Sequence, residues 1–242
     1  MGDDSMAASD FGARKAWRPG ELSDAPNRAR FFTGFEEVAR RVVEVLPEVR
    51  AHVDNGFEIV IERVQEVKIY PTMRHLQASI YLSYVDGLSG WNEPGEAIKL
   101  LASNKSKEAG LRSLLAHEYG HVATFEYGPR ASDMPWWVLE GVADLSAEKF
   151  VARSGGYEDA PGEYGRDARS AGERWARRGN IAAWNDIADF RATERKWMGH
   201  VYKQGQHMLG HVSRQFGRGT RNQWLRAMAQ GAAQQPLPAP EL

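Results

Sequence analysis

The chain has 242 residues, with 31 basic and 32 acidic side chains. A net charge of −1 leaves no field for binding nucleic acid or an anionic lipid surface. Eight Trp, nine Phe and eight Tyr exclude disorder throughout, and a chain of this size can bury roughly 70% of its unfolded surface. There is no Cys, which excludes disulfides, thiolate metal ligands and Cys nucleophiles, so any metal must be held by His and carboxylate.

Residues 1 to about 30 are rich in Gly, Asp, Ala, Arg and Pro without periodicity and read as a flexible leader. The start, Met1-Gly2-Asp3-Asp4-Ser5-Met6, lacks the apolar core of a signal peptide, and no run approaches the ~18 apolar residues of a membrane span. No membrane segment and, by default, a cytoplasmic location are therefore expected. Thr33-Gly34-Phe35-Glu36 predicts a capping box opening a helix, with Phe35, Val38, Val42, Val45 and Leu46 at helical spacing and Pro47 as the stop. The alternation of Phe57, Ile59 and Ile61 with Glu58, Val60 and Glu62 predicts a strand. Val67–Tyr70, Ile80–Tyr84 and residues 96–101 are further short strands.

From about residue 107 the pattern turns helical. One helix is expected over 107–127, ended by Gly128-Pro129, and another from Asp133-Met134-Pro135 to about Arg153. A loop follows over 154–172, then helices near 181–190, 194–216 and 221–230, and a flexible tail over 232–242. The helix over 194–216 is expected to bury Trp197, Val201, Gly205, Met208, Val212 and Phe216. Strands first and helices after predict an α+β fold, a small mixed sheet followed by a helical half, in one domain over 31–231.

Leu114-Leu115-Ala116-His117-Glu118-Tyr119-Gly120-His121-Val122 contains H-E-x-x-H. On a helix, His117 and His121 lie one turn apart on one face and can aim an imidazole nitrogen each at a single metal ion. Glu118 is rotated by about 100° from His117, so it reaches a water beside the metal rather than the metal, a position suited to a general base. The motif sits in an apolar run with Leu111 and Leu114, so its helix is expected to be buried, where two His and a Glu need partners. Gly120 in mid-helix costs about 1 kcal/mol against Ala, and a close neighbour over it would explain it.

A catalytic zinc wants three protein ligands and one open position. The metzincin extension fails, since it needs Gly at 124 and His at 127 where the chain has Thr124 and Tyr127. Downstream stands Trp136-Trp137-Val138-Leu139-Glu140-Gly141-Val142-Ala143-Asp144. Glu140 in this apolar helix start is a poor core residue and is explained as the third ligand. Asp144, one turn on, can hydrogen-bond the outer nitrogen of a ligand His and fix its tautomer. Trp136 and Trp137 are expected to pack rather than to line a cleft.

H-E-x-x-H, then eighteen residues, then E-G-x-x-D resembles the gluzincin metallopeptidases. The chain is similar to the peptidase MA-like domain group and, more distantly, to thermolysin-like peptidases and M1 aminopeptidases, over roughly residues 65–216. The resemblance implies a zincin-like fold, one Zn²⁺ per chain held by His117, His121 and Glu140, and a peptide or protein substrate. It also implies that residues 96–101 form the substrate-binding edge strand. Tyr202-Lys203-Gln204-Gly205 is similar to the Y-x-x-G of M1-like enzymes, which implies that Tyr202 donates a hydrogen bond to the oxyanion; His200 and His207 are rival donors. The aminopeptidases' G-x-M-E-N segment has no counterpart in Gly90-Trp91-Asn92-Glu93-Pro94-Gly95, so aminopeptidase specificity is not carried over.

The expected function is a zinc-dependent metallopeptidase with Glu118 as base, Tyr202 as oxyanion donor and Asp144 orienting a ligand His. The alternative is a zinc-stabilised binding module or inactive relative, in which the same ligands tie two helices together without hydrolysis.

Overall fold

The structure, a computed structural model, describes residues 19–24, 27–80, 89–102, 108–151 and 185–232. They divide into two compact units. One lies within Met1–Pro47, Glu62–Asn92 and Glu96–Lys107; the other lies within Glu48–Ile61, Glu93–Gly95 and Glu108–Leu242.

The first unit holds a five-stranded mixed sheet made of β1 (Pro19–Asp24), β2 (Asn27–Phe32), β3 (Gln65–Tyr70), β4 (Gly90–Trp91) and β5 (Ile98–Leu101), in the order β1-β2-β3-β5-β4. The β1–β2 and β4–β5 pairs are antiparallel, while β2–β3 and β3–β5 are parallel. The fold class is therefore α+β, as expected. Strands β1 and β2 stand where a leader to residue 30 was expected. Ala29 and Phe31 alternate inward, but the intervening Arg28 and Arg30 hide the period because they serve the other face, ion-paired to Glu21 and Glu66 at 3.2–3.8 Å. Residues 1–18 lie outside the described residues.

Strand β5 is not an edge. It is paired on both sides, and Ile98, Lys99 and Leu100 are all buried, the continuous burial typical of an interior strand. The edges are β1 and the two-residue β4. Lys99 is satisfied inside the unit by Glu96 at 2.6 Å and by the Ser79 carbonyl at 3.2 Å. A helix that the sequence reading missed, α2 (Met73–Ser79), precedes that carbonyl, capped by the Thr72 side chain, which accepts from the His75 N–H. Ile80 belongs to the turn ending α2, not to a strand, and 81–84 lie outside the described residues.

The helix expected to stop at Pro47 instead runs on as α1 (Glu36–Phe57). At its start the Glu36 carboxylate accepts from the Gly34 N–H at 3.0 Å, two residues before the helix and not from one of the helix's own first N–H groups as the capping box predicts. Pro47 removes one N–H donor, but the apolar stripe of Val42, Leu46, Val49, Val53 and Phe57, each fully buried, continues past it and outweighs that loss. The strand expected at 57–61 is thus absent: Phe57 ends the helix, and Glu58 turns the chain with φ 53°.

The second unit contains residues 48–61 and the helices α3 (Glu108–Phe125), α4 (Trp136–Val151), α5 (Ile187–Ala192), α6 (Arg195–Phe216) and α7 (Arg218–Ala229). These ranges follow the expected helices closely where residues are described; 152–184, including the expected loop, and 233–242 are not. In α6 the buried stripe runs through Gly205, Leu209, Val212 and Ser213, while Phe216 is exposed rather than buried. The side chains of Trp197 and Val201 lie outside the described residues. Trp136 packs on Phe190, and Trp137 on Trp224, with ring centres 5.6 and 6.3 Å apart. Among the described residues no helix is long and apolar enough to cross a membrane.

The C-terminal end of α1 is held by side chains from α7 and from the turn after α3. Arg221, 1% exposed, donates to the Gly56 carbonyl at 2.6 Å and to Ser213 Oγ at 3.0 Å, and its guanidinium lies 4.5 Å from the centre of the Phe57 ring. Asn222 also donates to the Gly56 carbonyl, and the Tyr127 hydroxyl donates to that of Phe57 at 2.8 Å. These carbonyls have no partner within the helix, so donors with positive charge satisfy both the bonds and the dipole. Replacing Arg221 with Met leaves buried acceptors short of a donor. A stability loss of about 2–3 kcal/mol is expected, read as a lower urea midpoint at unchanged slope; a wild-type midpoint would show that the network contributes nothing.

Candidate metal centre

Helix α3 is buried along most of its surface. Leu115, Ala116, Tyr119, Val122 and Ala123 are at most 1% exposed, as the apolar run around H-E-x-x-H predicts. Tyr119, two residues from His117 and so on the opposite side of the helix, donates its hydroxyl to Asp54 at 3.0 Å and ties α3 to the second half of α1. At the surface, Arg112 reaches Glu48 at 2.7 Å. The helix is therefore held in rotation, with His117 and His121 turned toward α4.

The glycine at 120 is explained by α4. A Cβ on Gly120 would lie 2.8 Å from the Ala143 Cα and 2.8 Å from Ser146 Oγ, so no larger residue fits at this crossing. A second such contact joins α4 to α6. A Cβ on Gly141 would lie 2.6 Å from the Gly205 carbonyl carbon, and one on Gly205 would lie 2.2 Å from the Trp137 carbonyl oxygen. Three helices thus meet at backbone contact, and the side chains beside these glycines converge.

His117, His121 and Glu140 form a group whose ligand atoms all lie within 4.8 Å of one another and which could hold a metal ion. Glu140 Oε2 stands 3.4 Å from His117 Nε2 and 3.7 Å from His121 Nε2. Ligands on a tetrahedral ion with bonds of about 2.0–2.1 Å stand about 3.3 Å apart, so the spacing fits one ion. The two imidazole rings meet edge to face, with centres 5.1 Å apart at 86°. Glu140 Oε2 is buried and accepts no hydrogen bond of good geometry within 3.5 Å among the described residues, with His117 Nε2 the nearer imidazole nitrogen facing it.

Asp144 Oδ1 lies 3.0 Å from His117 Nδ1, which points the Nδ1 hydrogen at the carboxylate and turns Nε2 toward Glu140 and the common point. The Tyr202 ring centre is 6.2 Å from that of His117. Glu118 is 3% exposed, and its Oε2 accepts no hydrogen bond among the described residues. Of the rival donors, His207 is half-buried and stands outside the three-ligand group, and the side chain of His200 lies outside the described residues.

The charges are unevenly shared. Burial pushes the Glu118 carboxyl up to about 8, with the charge on His117 pulling it down and Glu140 pushing it further up. Burial likewise drives His121 down to about 4, so it is a neutral imidazole at pH 7. Burial works against a charged His117 as well, but the carboxylates of Asp144 and Glu140 outweigh it and raise its pKa well above the ordinary value. The Asp144 carboxyl, despite burial, is held below its ordinary range by His117 and then by Lys203. Burial, then the surrounding carboxylates, raises the Tyr202 hydroxyl, which stays a donor at any physiological pH.

Lys203 is the site residue that sequence reading missed: its Nζ lies 3.4 Å from Asp144 Oδ2. The only sequence signal is its place between Tyr202 and Gly205 in the quoted motif, since a Lys beside a buried helical stripe is ordinary.

No protein-family model and no curated protein matches the chain.

The glycine contact makes a direct prediction. Gly205→Ala must separate α6 from α4, and a loss of about 2–3 kcal/mol is expected, measured by denaturant unfolding. An Ala variant as stable as wild type would mean that α6 is not seated against α4 at this point.

Proposed function

We propose that the chain is a zinc-dependent peptidase. The observation that carries the reading is the convergence of His117, His121 and Glu140 within 4.8 Å of one another, beside a buried carboxylate, Glu118, whose Oε2 accepts no hydrogen bond among the described residues. Two His and one Glu are a donor set of catalytic zinc, which keeps a fourth position open, whereas structural zinc closes all four with protein ligands. The resemblance of H-E-x-x-H, eighteen residues, E-G-x-x-D to the gluzincins supports the same reading.

Zinc, when bound, supplies Lewis acidity toward the scissile carbonyl and the attacking water. The protein's own groups move the protons. Glu118 takes a proton from the water as its oxygen bonds to the carbonyl carbon, and gives that proton to the amine nitrogen as the C–N bond breaks. Tyr202 donates its hydroxyl hydrogen to the oxygen that becomes negative on the substrate, a contact strongest in the transition state. Asp144 holds His117 in the tautomer that leaves Nε2 as the ligand atom.

Elemental analysis and a quenched-peptide assay, with and without chelator, test this. Glu118→Gln should retain zinc and lose turnover by a factor of about 10²–10⁴; an undiminished rate removes Glu118 as the base. His121→Ala should lose the metal itself. Tyr202→Phe should lower kcat by about 10²–10³ with KM little changed. Stoichiometric zinc without chelator-sensitive cleavage of any peptide would establish the non-catalytic zinc module instead.

A further inference from the structure

We propose that Lys203 is a positioning residue for the metal centre, acting through Asp144 to hold His117 in place. The inference rests on the metal-centre reading above and adds one more helix-borne group to it.

Asp144 is engaged on both oxygens by groups from different helices. Oδ1 takes the Nδ1 proton of His117 from α3 at 3.0 Å; Oδ2 faces Lys203 Nζ from α6 at 3.4 Å. A carboxylate held on one oxygen alone can turn about its last side-chain torsion, which is broad and two-fold. Engaging the second oxygen removes that freedom and fixes the direction in which Asp144 points at the imidazole. The lysine is itself held, since its Nζ donates to Gln206 Oε1 at 2.7 Å and Gln206 is 0% exposed. The chain of contacts runs Gln206, Lys203, Asp144, His117, and ends on the nitrogen opposite the one aimed at Glu140.

The burial pattern separates this pair from an ordinary surface ion pair, which contributes little because both ends are solvated and mobile. Here the Asp144 side chain is 16% exposed, while that of Lys203 is 41% exposed. The acid is thus held in the site, and the lysine reaches it from the more exposed side. The lysine reaches Asp144 because α6 is seated on α4 through Gly141 and Gly205. Tyr202, the preceding residue, stands beside His117, so one turn of α6 serves both the imidazole and the carboxylate that orients it.

The test uses the full chain, stripped of metal and titrated with zinc against a chromophoric chelator. Lys203→Met should weaken zinc binding about tenfold, at the lower end for loss of a partner that orients a ligand. Lys203→Gln should show the same loss, and Lys203→Arg should recover most of it. Asp144→Asn alone should weaken binding by about 10–100-fold. The double variant Lys203→Met/Asp144→Asn should bind no more weakly than Asp144→Asn, because a group that works only through a carboxylate has nothing to act on once that carboxylate is gone. The urea midpoint of Lys203→Met should match wild type, separating positioning from a general loss of structure. Wild-type zinc affinity in both Lys203→Met and Lys203→Gln, or fully additive losses in the double variant, overturns the proposal and leaves the metal centre standing. A wild-type chain that binds no zinc removes the metal centre and this proposal with it.

Discussion

The site depends on how closely three helices can approach. Ligand atoms from two helices meet at one point only if the helix backbones are nearly in contact, because His and Glu side chains are short compared with ordinary helix spacings of 8–10 Å. Gly120 lets α3 approach α4 at Ala143 and Ser146, and the Gly141–Gly205 contact lets α6 approach α4. Each glycine costs helix propensity, yet each stands within a few residues of a group at the cluster: His121 beside Gly120, Glu140 beside Gly141, Lys203 and Tyr202 just before Gly205. Helix stability is exchanged locally for proximity.

Closeness alone would leave α3 free to rotate, and a rotation would turn His117 and His121 away from Glu140. Two features of the second unit oppose it. Tyr119 is bonded to Asp54 on the side of α3 away from His117 and His121, and Leu115, Ala116, Val122 and Ala123 of the helix are buried. Residues 48–57 of α1 are in turn fastened at Gly56 and Phe57 by Arg221, Asn222 and Tyr127. A buried polar network of this kind specifies one arrangement because every alternative leaves a charged donor or a carbonyl unpaired.

What could be read from the sequence was what depends on local spacing. The four-residue step of His117 and His121, the isolated Glu140 among apolar neighbours and the one-turn step to Asp144 are all short-range patterns, and the structure brings these residues together. Gly120 was legible as an anomaly because its cost had no local explanation. The failures come from tertiary override. Pro47 should end a helix by local rules, but the stripe from Val42 to Phe57 is buried throughout and carries the helix past it. Phe57, Ile59 and Ile61 alternate like a strand, yet Phe57 packs under Arg221, a partner 164 positions away (221 minus 57), which no local window includes. Strands β1 and β2 were hidden because their outward arginines pair with Glu21 and Glu66, so the segment reads as merely charged. Lys203 was invisible for a similar reason: its partner lies on another helix.

The two histidines of one motif end up as different bases, and the difference originates outside the motif. Both are buried, and burial by itself favours the neutral form of each. His117 departs from this because Asp144 meets its Nδ1 and Glu140 its Nε2, whereas on His121 burial outweighs the more distant Glu140 and Asp144, and the charge on His117 adds to it. H-E-x-x-H therefore fixes where two imidazoles stand, and the E-G-x-x-D helix decides how each holds its protons. The spacing of three between Gly141 and Asp144 matters for the same reason. It puts the glycine that admits α6 and the carboxylate that receives Lys203 about one turn apart, so the helix that carries Glu140 also sets the protonation of His117.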